Sequence, residues 1–236
     1  TYPQSGYSIS GGILTLSKIG NIKVKLHRAI EGKIKTCTII RKNDKYYVCF
    51  SCDVELRELP TTGEIVGIDV GIKEFVTCSD GTMIENKKAY KKASKKLKHL
   101  QKLVSKKKKR SKRRRAYVKK IARMHEHVAN QRQDIINKTA NYLLTNYDTI
   151  IHEDLQIKNM VKNHKLAGAI NDVAWGKLFD TLESTAKQTL TKQIIKANPR
   201  NTSKTCSCCG NIKESLKLSE RTYYCDICGL TIDRDI

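Results

Sequence analysis

The fold class is decided by the stretch EIVGIDVGIKEFVTCSDGTMIE, which spans Glu64–Glu85. Its apolar run Ile65–Val70 has the length and bounding residues of a buried strand, and a second strand is predicted around Phe75–Cys78. A Ser-Asp-Gly turn at residues 79–81 then leads into a short third strand. Asp69 interrupts the first run, and an acid in a buried strand is costly unless it is paired or binds metal. The stretch therefore predicts a sheet with an acidic site on its first strand.

Further acids end apolar strands elsewhere in the chain. Glu153 closes the run Ile150-Ile151-His152-Glu153, and Asp233 and Asp235 follow Leu230-Thr231-Ile232. Alone, each acid is better explained as a strand-end or capping residue. As a set with Asp69, they form the pattern of a carboxylate cluster that holds divalent cations. Two Mg²⁺ ions about 3.5–4 Å apart in such a cluster activate water and stabilise the leaving oxygen at a phosphodiester.

Four of the nine cysteines form two C-x-x-C pairs separated by fifteen residues. The pairs are Cys206/Cys209 and Cys225/Cys228, and a glycine follows each pair. Two such knuckles supply four thiolates, which is the ligand set of a tetrahedral Zn²⁺. A glycine at that position accepts a positive φ and lets backbone N–H groups approach the sulfurs. We therefore predict a structural zinc ribbon, because four protein ligands leave no open coordination position.

The positive charge of the chain is concentrated in one region. The net charge is +23, and Lys87 to Arg123 contain twenty Lys or Arg and no acid, so the other 199 residues carry about +3. Apolar residues recur every three or four positions from Tyr90 and again from Tyr117, which predicts two long antiparallel helices with a basic tip. This charge indicates a polyanionic partner, most simply nucleic acid. The tip residues expected to bind phosphate are Lys106, Lys107, Lys108, Lys109, Arg110, Lys112, Arg113, Arg114 and Arg115.

The remaining regions of the chain predict secondary structure but no catalytic or metal-binding residues. Alternating runs at Lys18–Arg28, Lys33–Arg41 and Lys45–Leu56 predict a small antiparallel barrel that is incomplete at its N-terminal edge. Residues 171–196 have apolar positions in helical phase. Four of the other five cysteines have no partner pair at metal-binding spacing, so we expect them to be small core residues. They are Cys37, Cys49, Cys52 and Cys78.

Composition sets the broad class. With 236 residues, 39% apolar and 29% charged, the chain can build a lean core, which argues against disorder and against a membrane bundle. No apolar run reaches the ~18 residues of a spanning helix, and no signal peptide is visible. The sequence has no initial Met and stops at Ile236. We therefore expect it to be a piece of a longer protein.

Three segments together resemble TnpB, the transposon-encoded, RNA-guided nuclease family of bacterial insertion sequences that is related to type V CRISPR effectors. GIDVGIKEFVT (Gly67–Thr77), IIHEDLQIKNM (Ile150–Met160) and TSKTCSCCG…YYCDICGLTIDRD (Thr202–Asp235) resemble its three nuclease motifs and its zinc ribbon. HRAIEGKIKT (His27–Thr36) is similar to its wedge barrel. NDVAWGKL (Asn171–Leu178) is similar to the helix before the ribbon.

This resemblance implies a fold and a division into domains. The fold is α/β: an RNase H-like (RuvC) core with a long basic helical hairpin insertion, a zinc ribbon and an N-terminal partial, wedge-like β-barrel. The barrel would cover residues 1–62 and the core 63–204, with the hairpin at 87–146. The ribbon would cover 205–231, and the third nuclease motif would begin at 232–236.

The resemblance also implies an activity, a Mg²⁺-dependent, RNA-guided DNA endonuclease. Asp69, Glu153 and Asp235 would be its catalytic acids, with Asp235 chosen because the third acid of the family is the second Asp of D-R-D. Cofactors would be catalytic Mg²⁺, two ions by expectation, and structural Zn²⁺. Partners would be a DNA target and a guide RNA, with no membrane, and the location would be cytoplasmic and nucleoid-associated.

Two alternatives remain open at this point. The chain can be a non-catalytic nucleic-acid-binding remnant, since the family usually continues past D-R-D with an Asn-Ala-Ala helix and this sequence ends there. GIDVGIKEF can also be the first phosphate loop of an actin- or hexokinase-type ATPase. The second alternative is weaker, because the sequence has no second Asp-Gly-Gly loop and such ATPases have neither a zinc ribbon nor polycationic helices.

Overall fold

The computed structural model describes residues 1–56, 58–216 and 222–233. Its first part consists of two three-stranded antiparallel sheets, ordered β1-β5-β6 and β2-β3-β4. Their apolar faces meet around the buried Leu14, Leu16 and Cys37. The strands are β1 (Tyr2–Pro3), β2 (Tyr7–Ser10), β3 (Ile13–Leu16), β4 (Gly20–Lys23), β5 (Lys33–Lys42) and β6 (Lys45–Asp53).

Two predictions for this part need correction. The run Lys18–Arg28 forms a strand only over Gly20–Lys23, and the three strands before it were not predicted. Cys49 is exposed rather than a core residue, because it alternates with Val48 and Phe50, which pack on the inner face. Cys37 and Cys78 are buried as predicted, and Cys52 is half-buried.

The central sheet has five strands in the order β11-β10-β7-β8-β9. β7 pairs antiparallel with β8, and β8 with β9, whereas β7, β10 and β11 run parallel to one another. The turn after β7 is tight: a Cβ on Gly71 would lie 3.0 Å from the Glu74 carbonyl oxygen. The strands are β7 (Ile65–Asp69), β8 (Glu74–Cys78), β9 (Met83–Glu85), β10 (Thr149–Glu153) and β11 (Gln193–Ala197).

Five helices and a two-stranded ribbon complete the described chain. The helical prediction for residues 171–196 is wrong at its end, where Gln193–Ala197 forms β11 against β10. The helices are α1 (Ala89–Ser105), α2 (Lys112–Asn146), α3 (Ile157–Met160), α4 (Ala167–Val173) and α5 (Trp175–Ala186). The ribbon strands are β12 (Thr222–Tyr224) and β13 (Thr231–Asp233). Among the described residues, none of the helices has an apolar stretch of the length needed to span a bilayer.

The long helix α2 is buried in two different ways along its length. Its N-terminal half packs against α1, and Val128 is buried there. Its C-terminal half lies against the sheet and α5, where Ile136, Ala140 and Leu143 belong to the main core. Tyr142 lies outside this buried face and is 38% exposed. The long helix thus connects a surface helix pair to the centre of the sheet.

Asp172 joins three helices at the base of this pair. Its buried carboxylate accepts the backbone N–H groups of Tyr90 and Lys91 at 2.9 and 3.0 Å, which satisfies the free N–H groups at the start of α1. The same carboxylate accepts two hydrogen bonds from the Arg132 guanidinium on α2, the shorter at 2.8 Å. Asp172 lies on α4, so one side chain fixes where α1 and α2 leave the core.

A second buried ion pair fastens the linker between the N-terminal sheets and the core. The Lys192 ammonium, fully buried, donates to Asp148 and to the Pro60 carbonyl, each at 2.8 Å. Asp148 also accepts the backbone N–H groups of Thr62 and Gly63. Lys192 and these two N–H groups hold the pKa of Asp148 well below its usual range. The linker is thereby held at the start of β10.

Candidate metal centre and nucleic-acid interface

Asp69 and Glu153 are the last residues of two adjacent parallel strands. β7 and β10 pair from Ile65 opposite Thr149 to Ile68 opposite His152, so the next position in that register places Asp69 beside Glu153. Because residues in register on neighbouring strands point to the same face and lie about 5 Å apart, the two carboxylates share one face of the sheet. The carboxyl ends of parallel strands are where open α/β sheets bind ligands.

The neighbouring residues of each strand are buried on the opposite face. Ile68 and His152 are 5% and 3% exposed, whereas Asp69 is exposed and Glu153 half-buried. The His152 ring stacks on Phe179 with ring centroids 4.0 Å apart. The strand alternation therefore turns the acids away from the core, toward a surface that a cation can reach.

Each acid is oriented by a local hydrogen bond. One carboxylate oxygen of Asp69 accepts the backbone N–H of Val70 at 2.8 Å. The Thr202 hydroxyl donates a hydrogen bond to one carboxylate oxygen of Glu153. Two carboxylates side by side repel each other, and a divalent cation between them removes that repulsion. The donor set, oxygens only, suits Mg²⁺.

The third predicted acid, Asp235, lies outside the described residues. Asp233, the other acid of this segment, ends β13 and is exposed. Only two members of the predicted carboxylate set are therefore brought together within the part of the chain that the structure describes.

The four predicted zinc ligands form one cluster. The ligand sulfurs of Cys206, Cys209, Cys225 and Cys228 all lie within 4.8 Å of one another. The Sγ atoms of Cys206 and Cys228 are 3.6 Å apart, and those of Cys209 and Cys225 are 3.5 Å apart. Tetrahedral Zn²⁺ with Zn–S bonds of about 2.3 Å requires sulfurs about 3.8 Å apart. The cluster thus has the donor type and the spacing to hold zinc.

Both knuckles have the predicted backbone geometry. Gly210 and Gly229 adopt φ angles of +72° and +74°. Each donates its N–H at 2.9 Å to the carbonyl of the first cysteine of its knuckle, Cys206 or Cys225. The prediction that these glycines take positive φ is confirmed.

The backbone of the knuckles also favours thiolates. The N–H of Cys228, with that of Ile227, lowers the pKa of the Cys225 thiol to about 6. Backbone N–H groups of the first knuckle likewise lower the pKa of Cys206. Against the lowering effect of the Leu230 N–H, burial and contact with Cys225 raise the pKa of Cys228 to about 12. The cluster therefore shares protons that a cation would displace.

The predicted basic tip, residues 106–115, comprises the turn between α1 and α2 and the first residues of α2. Lys106, Lys108, Lys109 and Arg110 in the turn are exposed. The Tyr117 ring lies between two lysines, with the Nζ atoms of Lys107 and Lys120 at 6.0 and 5.4 Å from its centroid. Ser111 caps α2 by accepting the Arg114 N–H at 3.2 Å. The tip thus presents closely spaced cations on a defined turn.

Cations farther along α2 are already paired. Asp44, at the turn between β5 and β6, lies 3.0 Å from both Lys119 and Arg123. These two cations hold the pKa of Asp44 below its usual range. Asn43 donates to Glu126 at 2.6 Å, so the turn between β5 and β6 contacts the middle of α2. The charge available to a polyanion is therefore greater at the tip than on this part of α2.

Three residues around the site were not predicted from sequence. Thr202 contacts Glu153 across 49 positions of sequence, and Asp172 anchors the basic helices. His152 is buried beside Glu153, where its Nδ1 lies 2.8 Å from the Glu153 carbonyl oxygen. Thr202 and Asp172 lie inside the segments that resemble TnpB, but a threonine or an aspartate gives no sign in sequence of its distant partner.

The fold and site define a class: an α/β protein with a cluster of four cysteines that could hold a metal ion, and a polycationic helix pair. Its sequence matches the OrfB_IS605 family, described as "Probable transposase", over residues 47–164. It also matches the Cas12f1-like TNB domain over residues 175–236. The chain belongs to the OrfB_IS605 family, and the resemblance to TnpB is confirmed.

Individual relatives agree with this membership. The chain is 32% identical over 239 aligned positions to a Streptomyces pristinaespiralis protein named "Putative RNA-guided DNA endonuclease", covering 100% of this chain. It is 28% identical to the Escherichia coli protein InsQ of the same description, covering 94% of this chain. The alignments cover 59% of each relative, so the chain spans about three fifths of their length.

A solved structure shares the fold. The structure titled "Cryo-EM structure of CRISPR-Cas12f Ternary Complex" superposes with a TM-score of 0.53 at 20% identity. The match covers 80% of this chain and 40% of that one. The α/β part of the predicted fold class is thereby supported.

Proposed function

We propose that this chain is the nuclease portion of an RNA-guided DNA endonuclease associated with an insertion sequence. The observation that carries the proposal is the placement of Asp69 and Glu153 at the ends of adjacent parallel strands, on the open face of the sheet. Two curated relatives with the RNA-guided endonuclease description align with most of this chain. The strand order, three antiparallel strands followed by two parallel ones, supports an RNase H-like core.

In the proposed reaction the acids act as cation ligands. Two Mg²⁺ ions, when bound, would supply an activated water and stabilise the leaving oxygen of the scissile phosphodiester. Asp69 offers oxygens from a strand end anchored by the Trp175 indole, whose N–H lies 3.4 Å from the Gly71 carbonyl oxygen. Glu153 offers the oxygen that does not accept the Thr202 hydroxyl. Asp235 is the proposed third ligand.

The nucleic acid would approach along the basic helices. Asp172 and Arg132 fix the base of α1 and α2, and the tip presents the exposed cations among residues 106–115. Phosphate contacts of this kind position a duplex without reading its sequence. Sequence specificity would then come from base pairing with a guide RNA, as the description of the relatives suggests for them.

The cysteine cluster is proposed to hold one structural Zn²⁺. Replacing Cys225 by Ser removes the ligand whose thiol is most readily deprotonated, with a pKa of about 6. We expect the variant to lose about one zinc per chain, because three thiolates do not close a tetrahedral site. Elemental analysis of the purified protein measures this loss. Cys208→Ser is the matched control, since Cys208 lies within the other knuckle, between Cys206 and Cys209, but outside the cluster.

The zinc assignment would be contradicted if the unaltered protein contained no zinc, or if the two variants contained equal amounts of it. It is supported if Cys208→Ser keeps its zinc and Cys225→Ser loses it.

The proposed activity is tested with the protein purified from its own host together with the RNA that accompanies it. We expect cleavage of DNA that carries a match to that RNA, and loss of cleavage after RNase treatment or removal of divalent cations. Cleavage that survives both treatments would contradict the proposal. A protein that binds DNA but never cuts it would support the alternative of a non-catalytic binding remnant.

A further inference from the structure

A short segment joins the carboxylate site to the cysteine cluster. β11 ends at Ala197. The Ala197 carbonyl accepts the backbone N–H of Asp154, the residue after Glu153, at 2.9 Å. Eight residues then lead from Ala197 to Cys206, and they include the 3₁₀ turn Thr202–Lys204. This segment therefore connects the carboxylate site directly to the cysteine cluster.

The turn is fastened to the ribbon on one side. The Lys204 carbonyl accepts the Lys213 N–H at 3.1 Å and the Tyr223 hydroxyl at 3.2 Å. The Lys204 ammonium donates to the Glu214 carbonyl at 2.8 Å. Tyr223 is buried together with Cys206 and Cys225. A metal ion that closes the cysteine cluster therefore also fixes the residues that hold this turn.

The other side of the turn faces the carboxylate site. The Thr202 hydroxyl donates to a carboxylate oxygen of Glu153 and lies 3.2 Å from the Pro199 carbonyl oxygen. The ionised carboxylate is the stronger of these two acceptors. Such a contact holds a flexible glutamate in one rotamer and keeps its second oxygen directed outward, the role that outer hydrogen-bond partners have at metal sites.

We propose that Thr202 is a positioning residue through which the cysteine cluster, once it is loaded with metal, sets the Glu153 carboxylate for cation binding. The inference rests on the proposed function, because it assumes that Glu153 binds a divalent cation. It adds that the two metal sites are energetically coupled and that one hydroxyl carries the coupling.

The first test measures Mn²⁺ binding by calorimetry on the zinc-loaded chain. Thr202→Val keeps the β-branched shape and removes the hydroxyl, so we expect Mn²⁺ affinity about 10-fold weaker, the lower end of the ~10–100-fold loss seen for outer-shell partners. Thr202→Ser restores a hydroxyl and should bind within about twofold of the unaltered chain, a small effect compared with that loss.

The matched control is Thr205→Val. Its hydroxyl belongs to the same segment but donates to the Asn201 carbonyl at 2.9 Å and does not contact Glu153. We expect this variant to bind Mn²⁺ as the unaltered chain does. Equal Mn²⁺ affinity of Thr202→Val and the unaltered chain would overturn the proposal, as would an equal loss in Thr205→Val.

The second test measures the coupling with a double-mutant cycle. Cys225→Ser should weaken Mn²⁺ binding by a similar factor, and Cys225→Ser combined with Thr202→Val should weaken it no further. Additive losses would overturn the coupling. Glu153→Gln distinguishes failure of the proposed function from failure of this inference. If Glu153→Gln leaves the Mn²⁺ affinity unchanged, the proposed function fails as well. If Glu153→Gln weakens Mn²⁺ binding and Thr202→Val does not, only the role of Thr202 is overturned.

Discussion

Asp69→Asn and Glu153→Gln are each expected to reduce Mg²⁺-dependent DNA cleavage by about 10³-fold or more, equivalent to about 4 kcal/mol of transition-state stabilisation. Each change removes one negative charge from a pair of acids in register on adjacent strands. The amides keep the shape of the side chains, so the loss reports on charge and cation binding rather than on packing. The measurement is a single-turnover cleavage assay on the RNA-loaded protein.

DNA binding by these variants should change little, because the phosphate contacts are assigned to the basic helices. Asp154→Asn is the matched control, because Asp154 follows Glu153 directly and is exposed. The backbone N–H of Asp154 donates to the Ala197 carbonyl, a bond that the substitution leaves in place. We expect it to cleave at the unaltered rate. Normal cleavage by both Asp69→Asn and Glu153→Gln would contradict the nuclease assignment.

The second large effect is the salt dependence of DNA binding. If the basic helices contact 6–10 phosphates, affinity should fall by about 10³–10⁵-fold between 50 and 200 mM salt, because bound counterions are released on association. Replacing Lys106 and Lys108 by Gln should reduce the slope of log affinity against log salt by about 2, since each phosphate contact contributes about 0.9. Fluorescence anisotropy with labelled duplex DNA measures the slope.

Two cations farther along α2 provide a comparison for the effect of the tip on the salt dependence. Lys119 and Arg123 are cations of the same helix, but both lie 3.0 Å from Asp44. Because Asp44 already neutralises part of their charge, Lys119→Gln with Arg123→Gln should change the slope less than the pair at the tip. An unchanged slope for the tip variant would show that the tip does not bind DNA.

The strands that carry the acids could be predicted because their signal is local. β7 and β10 are short apolar runs with an acid at the end, and this pattern can be recognised without knowing which strand each one pairs with. β11 was missed for the opposite reason. Its residues Gln193–Ala197 contain three apolar side chains that also fit a helix, and parallel pairing with β10 decides the strand.

The cysteine cluster was predictable from spacing and glycines, and the structure brings its four sulfurs together. The contacts that join the sites were not predictable. Thr202 reaches Glu153 only because the segment after β11 returns over the end of β10, and Asp172 reaches Tyr90 across 82 positions of sequence. Such contacts follow from how elements pack, which sequence pattern alone does not specify.

The proposal that Asp69 and Glu153 hold the same divalent cations can be tested by anomalous X-ray scattering from crystals soaked in Mn²⁺. We expect anomalous peaks whose ligands include carboxylate oxygens of both residues, at about 2.0–2.2 Å, the distance range of small divalent cations to oxygen. Peaks bound to only one of the two acids, or no peak at the ends of β7 and β10, would contradict it.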